Sequence, residues 1–251
     1  MLYQALIITA VIIGSYLIGS LNFAVIISKL KKRDIRKLGS GNPGTMNMFR
    51  NFGIPIGFLT MFLDVAKGTV PAIIGWIVVG SIGLGTRTFT SGVFLSAPAR
   101  LGLYIAGFSV MLGHVFPIFY KFKGGKGIAT ALGIGFVAQP AIAVFSLAIG
   151  IGLLLALRVG SLASFTIISI PIAVEAFMLS TALYDNTFYL RVQYFGPTTA
   201  AITLLFSMFM FTIFTHRQNI VKLFQGTESV SNLVGKNRAV KQAKKRQEDW
   251  A

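Results

Sequence analysis

Three stretches of this chain carry residues suited to gripping phosphate. The first runs from Asp34 to Arg50 and contains Gly39-Ser40-Gly41-Asn42-Pro43-Gly44. Three glycines and a proline in six residues let the backbone turn with positive φ and present its N–H groups. Such turns make anion-binding concavities. Ser40, Asn42 and Asn47 add neutral donors, and Arg50 can hold a phosphate through two parallel hydrogen bonds. The second stretch is Gly113-His114-Val115-Phe116-Pro117, followed by Lys121-Phe122-Lys123-Gly124-Gly125-Lys126-Gly127-Ile128-Ala129-Thr130. Here a glycine-rich loop opens onto a predicted helix, so backbone N–H groups, a helix dipole and the Lys126 charge could meet at one phosphate. It is not a Walker A loop, because the spacing differs and no strand precedes it. The third begins at His216-Arg217-Gln218-Asn219-Ile220 and continues to Gly226-Thr227-Glu228. His216 could hydrogen-bond a phosphate or act as a base near neutral pH. On composition alone, the first two stretches also read as basic turns between membrane spans, and the third as a positive helix end near lipid headgroups.

Four ionisable residues lie within apolar surroundings. Asp64 and Lys67 are spaced i, i+3, so they share a helix face and can pair. Charges at membrane depth are expensive and usually face a polar cavity, but a pair that locks two helices satisfies the same spacing. Glu175 is read either as a functional acid or as a group hydrogen-bonded to a neighbouring helix. His114 is open to a structural or a catalytic reading. No His–carboxylate pair stands at short spacing.

The elements that must position these groups are set by composition. Of 251 residues, 54% are hydrophobic and only 12% charged, where a soluble domain carries about a quarter charged. A bilayer, acting as an apolar solvent, accounts for that excess. The net charge of +16 is dispersed in short clusters between apolar runs. That excludes the single basic face of a nucleic-acid binder and fits a basic cytoplasmic side. With no cysteine, two histidines and few carboxylates, disulfides, thiolate chemistry and a dedicated metal site are not expected.

The first apolar run, Leu2 to Ser28, has no basic residue ahead of it and is too long for a signal-peptide core. It is expected to be an uncleaved first span with its N-terminus outside. Further runs cover 53–85, 99–120, 128–157, 159–183 and 195–215. Residues 128–157 would make a helix of about 45 Å against a hydrocarbon core of about 30 Å, and Gln139-Pro140 interrupts them. They are read as a hairpin of two short spans. Run 53–85 is also too long and is expected to break before Asp64, leaving an interfacial or re-entrant piece and a true span from near Lys67. The prediction is therefore an all-α, polytopic integral membrane protein with seven transmembrane helices and a cytoplasmic C-terminus. Residues 1–228 form the membrane domain, and 229–251 form a basic tail expected to be disordered. This map places nineteen of the 23 basic residues inside, Arg87, Arg100 and Arg191 outside, and Lys67 at membrane depth.

Taken together, Gly19-Ser20, Asp34–Arg50 around GSGNPG, DVAKG from Asp64, GHVFP with FKGGKGIAT, and HRQNI with GTE are similar to the bacterial acyl-phosphate:glycerol-3-phosphate acyltransferases, the PlsY family. The resemblance covers residues about 15–228. It implies transfer of a fatty acyl group from acyl phosphate to the 1-hydroxyl of glycerol 3-phosphate, giving lysophosphatidate and phosphate. It further implies no cofactor, a site at the cytoplasmic face of the bacterial inner membrane, contact with membrane lipid but not nucleic acid, and a functional link to an enzyme that makes acyl phosphate. Carried over, Ser40, Arg50, Lys126 and His216 would be catalytic. Gly41, Asn42, Gly44, Asn47, Asp64, Lys67, His114, Gly124, Gly125, Gly127, Thr130, Asn219 and Glu228 would line the substrates. The family usually reads GSGNPGATN where this chain has Thr45 and Met46, and has proline where Asn22 stands.

Because acyl phosphate already carries a good leaving group, the chemistry asks mainly for placement and charge stabilisation. The amides of Gly124–Gly127 with Lys126 would hold the acyl phosphate, and Arg50, Ser40 and His216 would hold glycerol 3-phosphate. The proton could pass to His114, His216 or a substrate phosphate oxygen, and the last is preferred here. A transporter of anionic phosphorylated solutes is the rival, since broken helices and intramembrane charges suit one. A structural protein that binds anionic lipid is a third reading. The collection of polar motifs at one side favours the enzyme.

Overall fold

The computed structural model describes residues 2–83, 97–185 and 188–225. Nine α-helices occupy these residues: α1 (Leu2–Gly19), α2 (Phe23–Leu30), α3 (Thr45–Phe52), α4 (Ile54–Gly83), α5 (Ala97–Val115), α6 (Ile128–Ala138), α7 (Pro140–Leu157), α8 (Gly160–Asp185) and α9 (Phe188–Phe224). Arg87, Gly226, Thr227, Glu228 and the tail from 229 onward lie outside the described residues, as does the side chain of Arg191.

Among the described residues, six helical stretches are long and apolar enough to cross a membrane: Leu2–Leu30, Ile54–Ile82, Pro98–Tyr120, Pro140–Leu157, Gly160–Ser180 and Gly196–Phe224. Many large apolar side chains on them point outward, among them Phe58, Phe62, Val144, Phe145, Leu155, Phe177 and Phe206. So much exposed apolar surface calls for lipid rather than water.

The expected break at Gln139-Pro140 is present: Gln139 ends α6 and Pro140 opens α7 at a position where its missing N–H is harmless. The first half of that hairpin, α6, has only 11 residues. At 1.5 Å per residue it measures about 16 Å, half the hydrocarbon thickness. It is the one expected span too short to cross alone.

A second expectation fails. No break precedes Asp64, because α4 runs unbroken for 30 residues. Continuity is possible because the two charges that suggested a break neutralise each other: Lys67 Nζ lies 2.9 Å from Asp64 Oδ1 and donates to Leu21 O at 2.8 Å.

Helices are drawn close where glycine removes the side chain. A Cβ on Gly68 would sit 2.1 Å from Thr130 O, and one on Gly133 would sit 2.1 Å from Val65 O. The α4–α6 crossing is therefore a backbone-to-backbone contact of the kind membrane helices favour. Prolines inside helices are also accommodated. Pro171 leaves Ile167 O without its helical donor, and Ser146 Oγ of α7 donates to it at 3.2 Å. The core is formed by Leu103, Tyr104, Val110 and Met111 of α5 with Ile134 of α6 and Leu205 and Met208 of α9. A smaller cluster of Val25, Ile35 and Met48 anchors the loop after α2.

Candidate active site

The loop between α2 and α3 is held by its own polar groups. Asp34 caps a single 3-10 turn over Ile35–Lys37, accepting from Arg36 N at 3.0 Å. Its carboxylate also pairs with the Arg36 guanidinium at 2.7 Å, which pulls the Asp34 pKa down to about 2. Ile35 is fully buried and donates its N–H to Ser28 Oγ at 3.1 Å.

Asn47 is the clamp of this loop. Its Nδ2 donates to Leu38 O at 2.9 Å and Ile35 O at 3.3 Å, while its Oδ1 accepts from Ser40 N at 3.2 Å and Asn51 Nδ2 at 2.9 Å. With its capacity taken up inside the loop and only 2% of it exposed, Asn47 shapes the turn. Gly39 and Gly41 adopt φ of 55° and 70°, the left-handed region where glycine is at home. Asn42 N donates to Ser40 Oγ at 3.4 Å, and Ser40 itself is exposed. Gly44 caps α3, Thr45 and Met46 are its first two residues, and Arg50 lies in its last turn. Arg50 is half-buried and has no hydrogen bond or ion pair among the described residues.

The second glycine turn differs from the expected cradle. Gly124 N donates to Val115 O at 3.0 Å and Gly125 N to His114 O at 3.1 Å. These two amides bond the loop to the end of α5. What remains for an anion is Lys126 and the first turn of α6, whose leading N–H groups have no acceptor along the helix. Gly127 enters α6 with φ of 84°.

The end of α9 closes on this turn. Lys126 Nζ donates to Asn219 Oδ1, and Thr215 Oγ1 donates to Lys126 O at 3.3 Å. His216 is buried, with Nδ1 3.0 Å from Thr212 O and its ring 5.3 Å from that of Phe165. A carbonyl can only accept, so a proton on Nδ1 would donate to Thr212 O. The structure thus brings Lys126, His216 and Asn219 together. Glu228 lies outside the described residues.

Asp64, Lys67, His114 and Thr130 were expected to line the substrates. They sit instead in a buried brace beneath the turns. His114 Nδ1 is 3.3 Å from Thr130 Oγ1 and 3.8 Å from Asp64 Oδ1. A Cβ on Gly125 would fall 2.2 Å from His114 Nε2, so the loop lies directly on the imidazole. Lys67 reaches the α1–α2 break through Leu21 O, and Asn22 Nδ2 continues to Pro43 O at 3.5 Å. One polar chain therefore runs from the first glycine turn, through α4, to the second. Asn22 also caps α2 by accepting from Val25 N at 3.1 Å. A polar residue just before an apolar helix is a readable cap signal; sequence reasoning noted Asn22 only as a departure from the family.

Of the two readings left open for Glu175, the structure shows the bond to neighbouring helices: it pairs with Arg100 at the start of α5, and Gln139 Nε2 donates to its other carboxylate oxygen at 2.8 Å. Among the described residues, no three His, Asp or Glu converge as metal ligands would.

The family model described as Glycerol-3-phosphate acyltransferase matches residues 9–226. A glycerol-3-phosphate acyltransferase of Aquifex aeolicus is 36% identical over 217 residues, covering 86% of this chain and 95% of that protein. One of Neisseria meningitidis serogroup B is 37% identical over 217 residues, covering 86% and 92%. Among solved structures, PlsY (YgiH), an integral membrane glycerol 3-phosphate acyltransferase in its glycerol 3-phosphate form, matches with a TM-score of 0.67 and 33% identity over 89% of this chain and 94% of that one. Its lysophosphatidic acid form matches with a TM-score of 0.65 and 32% identity.

Proposed function

The chain belongs to the glycerol-3-phosphate acyltransferase family, and from that premise we propose that it uses acyl phosphate as donor and acylates the 1-hydroxyl of glycerol 3-phosphate. The hydroxyl oxygen attacks the acyl carbonyl and a C–O ester bond forms. The bond from the carbonyl carbon to the phosphate oxygen breaks. Inorganic phosphate leaves with the hydroxyl proton, and lysophosphatidate remains. The departing phosphate oxygen takes the proton itself, which suits a site where His114 is enclosed by Asp64, Thr130 and Gly125.

Lys126 and the first turn of α6 hold the donor phosphate and stabilise the charge that develops on it. Arg50 and Ser40 hold glycerol 3-phosphate, with Gly41, Asn42 and Gly44 shaping that side. His216 Nε2 and Asn219 orient the reacting groups from α9. The support for this assignment is the meeting of Lys126 with the end of α9, joined through the buried brace to the turn that precedes Arg50.

In this reading α6 counts as the seventh membrane helix, the N-terminus is outside and the site faces the cytoplasm, where an acyl-phosphate-producing enzyme would supply the donor. The concentration of basic residues at 29–50, 121–126 and after 216 supports that orientation.

Purified protein in detergent, given palmitoyl phosphate and labelled glycerol 3-phosphate, should release phosphate and lysophosphatidate in equal amounts. Product from acyl-CoA or acyl carrier protein, with none from palmitoyl phosphate, would overturn the donor. Because the chain has no cysteine, a single Lys123→Cys variant tests orientation. It should react with an impermeant thiol reagent in inside-out vesicles and not in intact cells.

A further inference from the structure

A polar cluster stands where α6 stops inside the bundle. The residue four on from Phe136 is Pro140, which has no N–H to give the Phe136 carbonyl. Beside this helix end Glu175 of α8 is held by Arg100 of α5 and by Gln139 Nε2 at 2.8 Å. Glu175 is only 1% exposed. A carboxylate has about four acceptor positions, so these two donors leave it room for another.

A small void adjoins the cluster. Gly135 and Ala138 of α6, Pro171 of α8 and Met208 of α9 form apolar parts of its wall, while Tyr104 and Glu175 bring polar groups to it. Its volume is about 30 Å³, above the roughly 10–15 Å³ that a water molecule needs. Tyr104 is 1% exposed, and its hydroxyl has no hydrogen-bond partner among the described residues. A buried hydroxyl left in that state is costly. An apolar void of this size stays dry, but this one has a donor on one wall and an acceptor on another.

We propose that the void is a binding site for one ordered water molecule. The Tyr104 hydroxyl donates to the water oxygen, and the water donates to the Glu175 carboxylate. Two polar partners are the least that holds a buried water in place. The bridge extends the Arg100–Glu175–Gln139 cluster to Tyr104, so α5, α8 and the α6–α7 junction share one hydrogen-bonded network. It thereby supplies the missing partner of a buried phenol beside the inner end of a helix too short to cross the bilayer. The inference does not depend on the reaction proposed above.

The direct test is a crystal structure at a resolution that shows ordered water. Density is expected within about 2.6–3.2 Å of both Tyr104 Oη and a Glu175 carboxylate oxygen. A void without density, or a direct Tyr104–Glu175 hydrogen bond, overturns the proposal. Thermal melts in detergent give a second reading. Tyr104→Phe should lower Tm by about 2–4 °C; an unchanged or raised Tm would mean the hydroxyl had no partner to lose, and overturns the site. Gly135→Ala adds a methyl at the wall. A Cβ there meets only Ala143 Cβ at 3.5 Å and Pro171 Cβ at 3.9 Å, both ordinary contacts, and alanine favours a helix over glycine. In a dry void this change should raise Tm. By displacing the bridging water it should instead lower Tm in wild type, and the fall should shrink or reverse in the Tyr104→Phe background. A rise in both backgrounds, or an equal fall in both, overturns the water.

Discussion

The two glycine-rich turns look alike in sequence and use glycine for different reasons. In the turn at 39–44, glycine supplies backbone conformation: Gly39 and Gly41 have positive φ, and Asn47 gathers the freed polar groups. In the turn at 124–127, Gly124 and Gly125 supply absence, since a Cβ on either would fall 2.0 or 2.2 Å from an atom of His114. The first turn is self-supporting, and Arg50 follows it without a partner among the described residues. The second is laid on the end of α5 and on a buried histidine, and it delivers Lys126 to α9. Similar composition therefore does not mean a similar mode of anion binding. In the second turn the amides of Gly124 and Gly125 are bonded to the end of α5, and the leading N–H groups of α6 beyond them have no acceptor along the helix.

The sharpest way to break this contrast is Lys126→Ala. It should lower kcat by about a hundredfold or more, measured by phosphate release, with an unchanged melting temperature. Near-normal turnover would leave the second turn without a chemical role. Gly124→Ala should follow, destabilising by about 1–3 kcal/mol because the neighbour is backbone and cannot rotate away. Gly41→Ala should cost about 1–2 kcal/mol through its left-handed φ. Asparagine separates the two causes: Gly41→Asn should recover part of the loss, since asparagine tolerates that region, whereas Gly124→Asn should be no better than alanine. Equal behaviour at both sites would dissolve the distinction.

Two smaller effects refine the first turn. Asn47→Ala leaves Ser40 N unpaired and takes one of two donors from Leu38 O, and should cost about 1–3 kcal/mol in thermal melts. It should also raise KM for glycerol 3-phosphate. The smallest effect concerns Asp34. Its pKa is held at about 2 by Arg36, below the ordinary value of 3.8. The depressed value means the pair stabilises the folded loop above about pH 4 and loses that contribution as pH falls towards 2. The increment is modest, because Arg36 is 34% exposed. Melting curves between pH 4 and 2 should show it in wild type and not in Asp34→Asn.

Much of this was legible in the sequence, for physical reasons that can be named. Pro140 falls in the middle of a run about half again too long for one span, and length and proline together made the α6–α7 hairpin readable, whereas Pro71 and Pro171 sit inside unbroken helices. The i, i+3 spacing of Asp64 and Lys67 announced a pair, and the observed pair is that one. Continuity of α4 was hidden because charge inside an apolar run argues for a break unless its partners are known, and one of them, Leu21 O, is 46 residues away. The role of His114 was hidden likewise, with Thr130 sixteen residues on and the glycine amides occupied by carbonyls of another helix. Local pattern reveals where polar groups stand; long-range pairing decides which remain available to a ligand.

The brevity of α6 bears on how the protein is made. Eleven residues cannot settle in a bilayer as an independent span, so this helix must be received by neighbours already in place. Its close crossing with α4 and the tie from its leading turn to α9 set the order. The turn at 124–127 takes its amide bonds from the end of α5, and its contacts to Asn219 and Thr215 form only once α9 is in place. A chain ending before α9 would lack the partners that Asn219 and Thr215 give to Lys126.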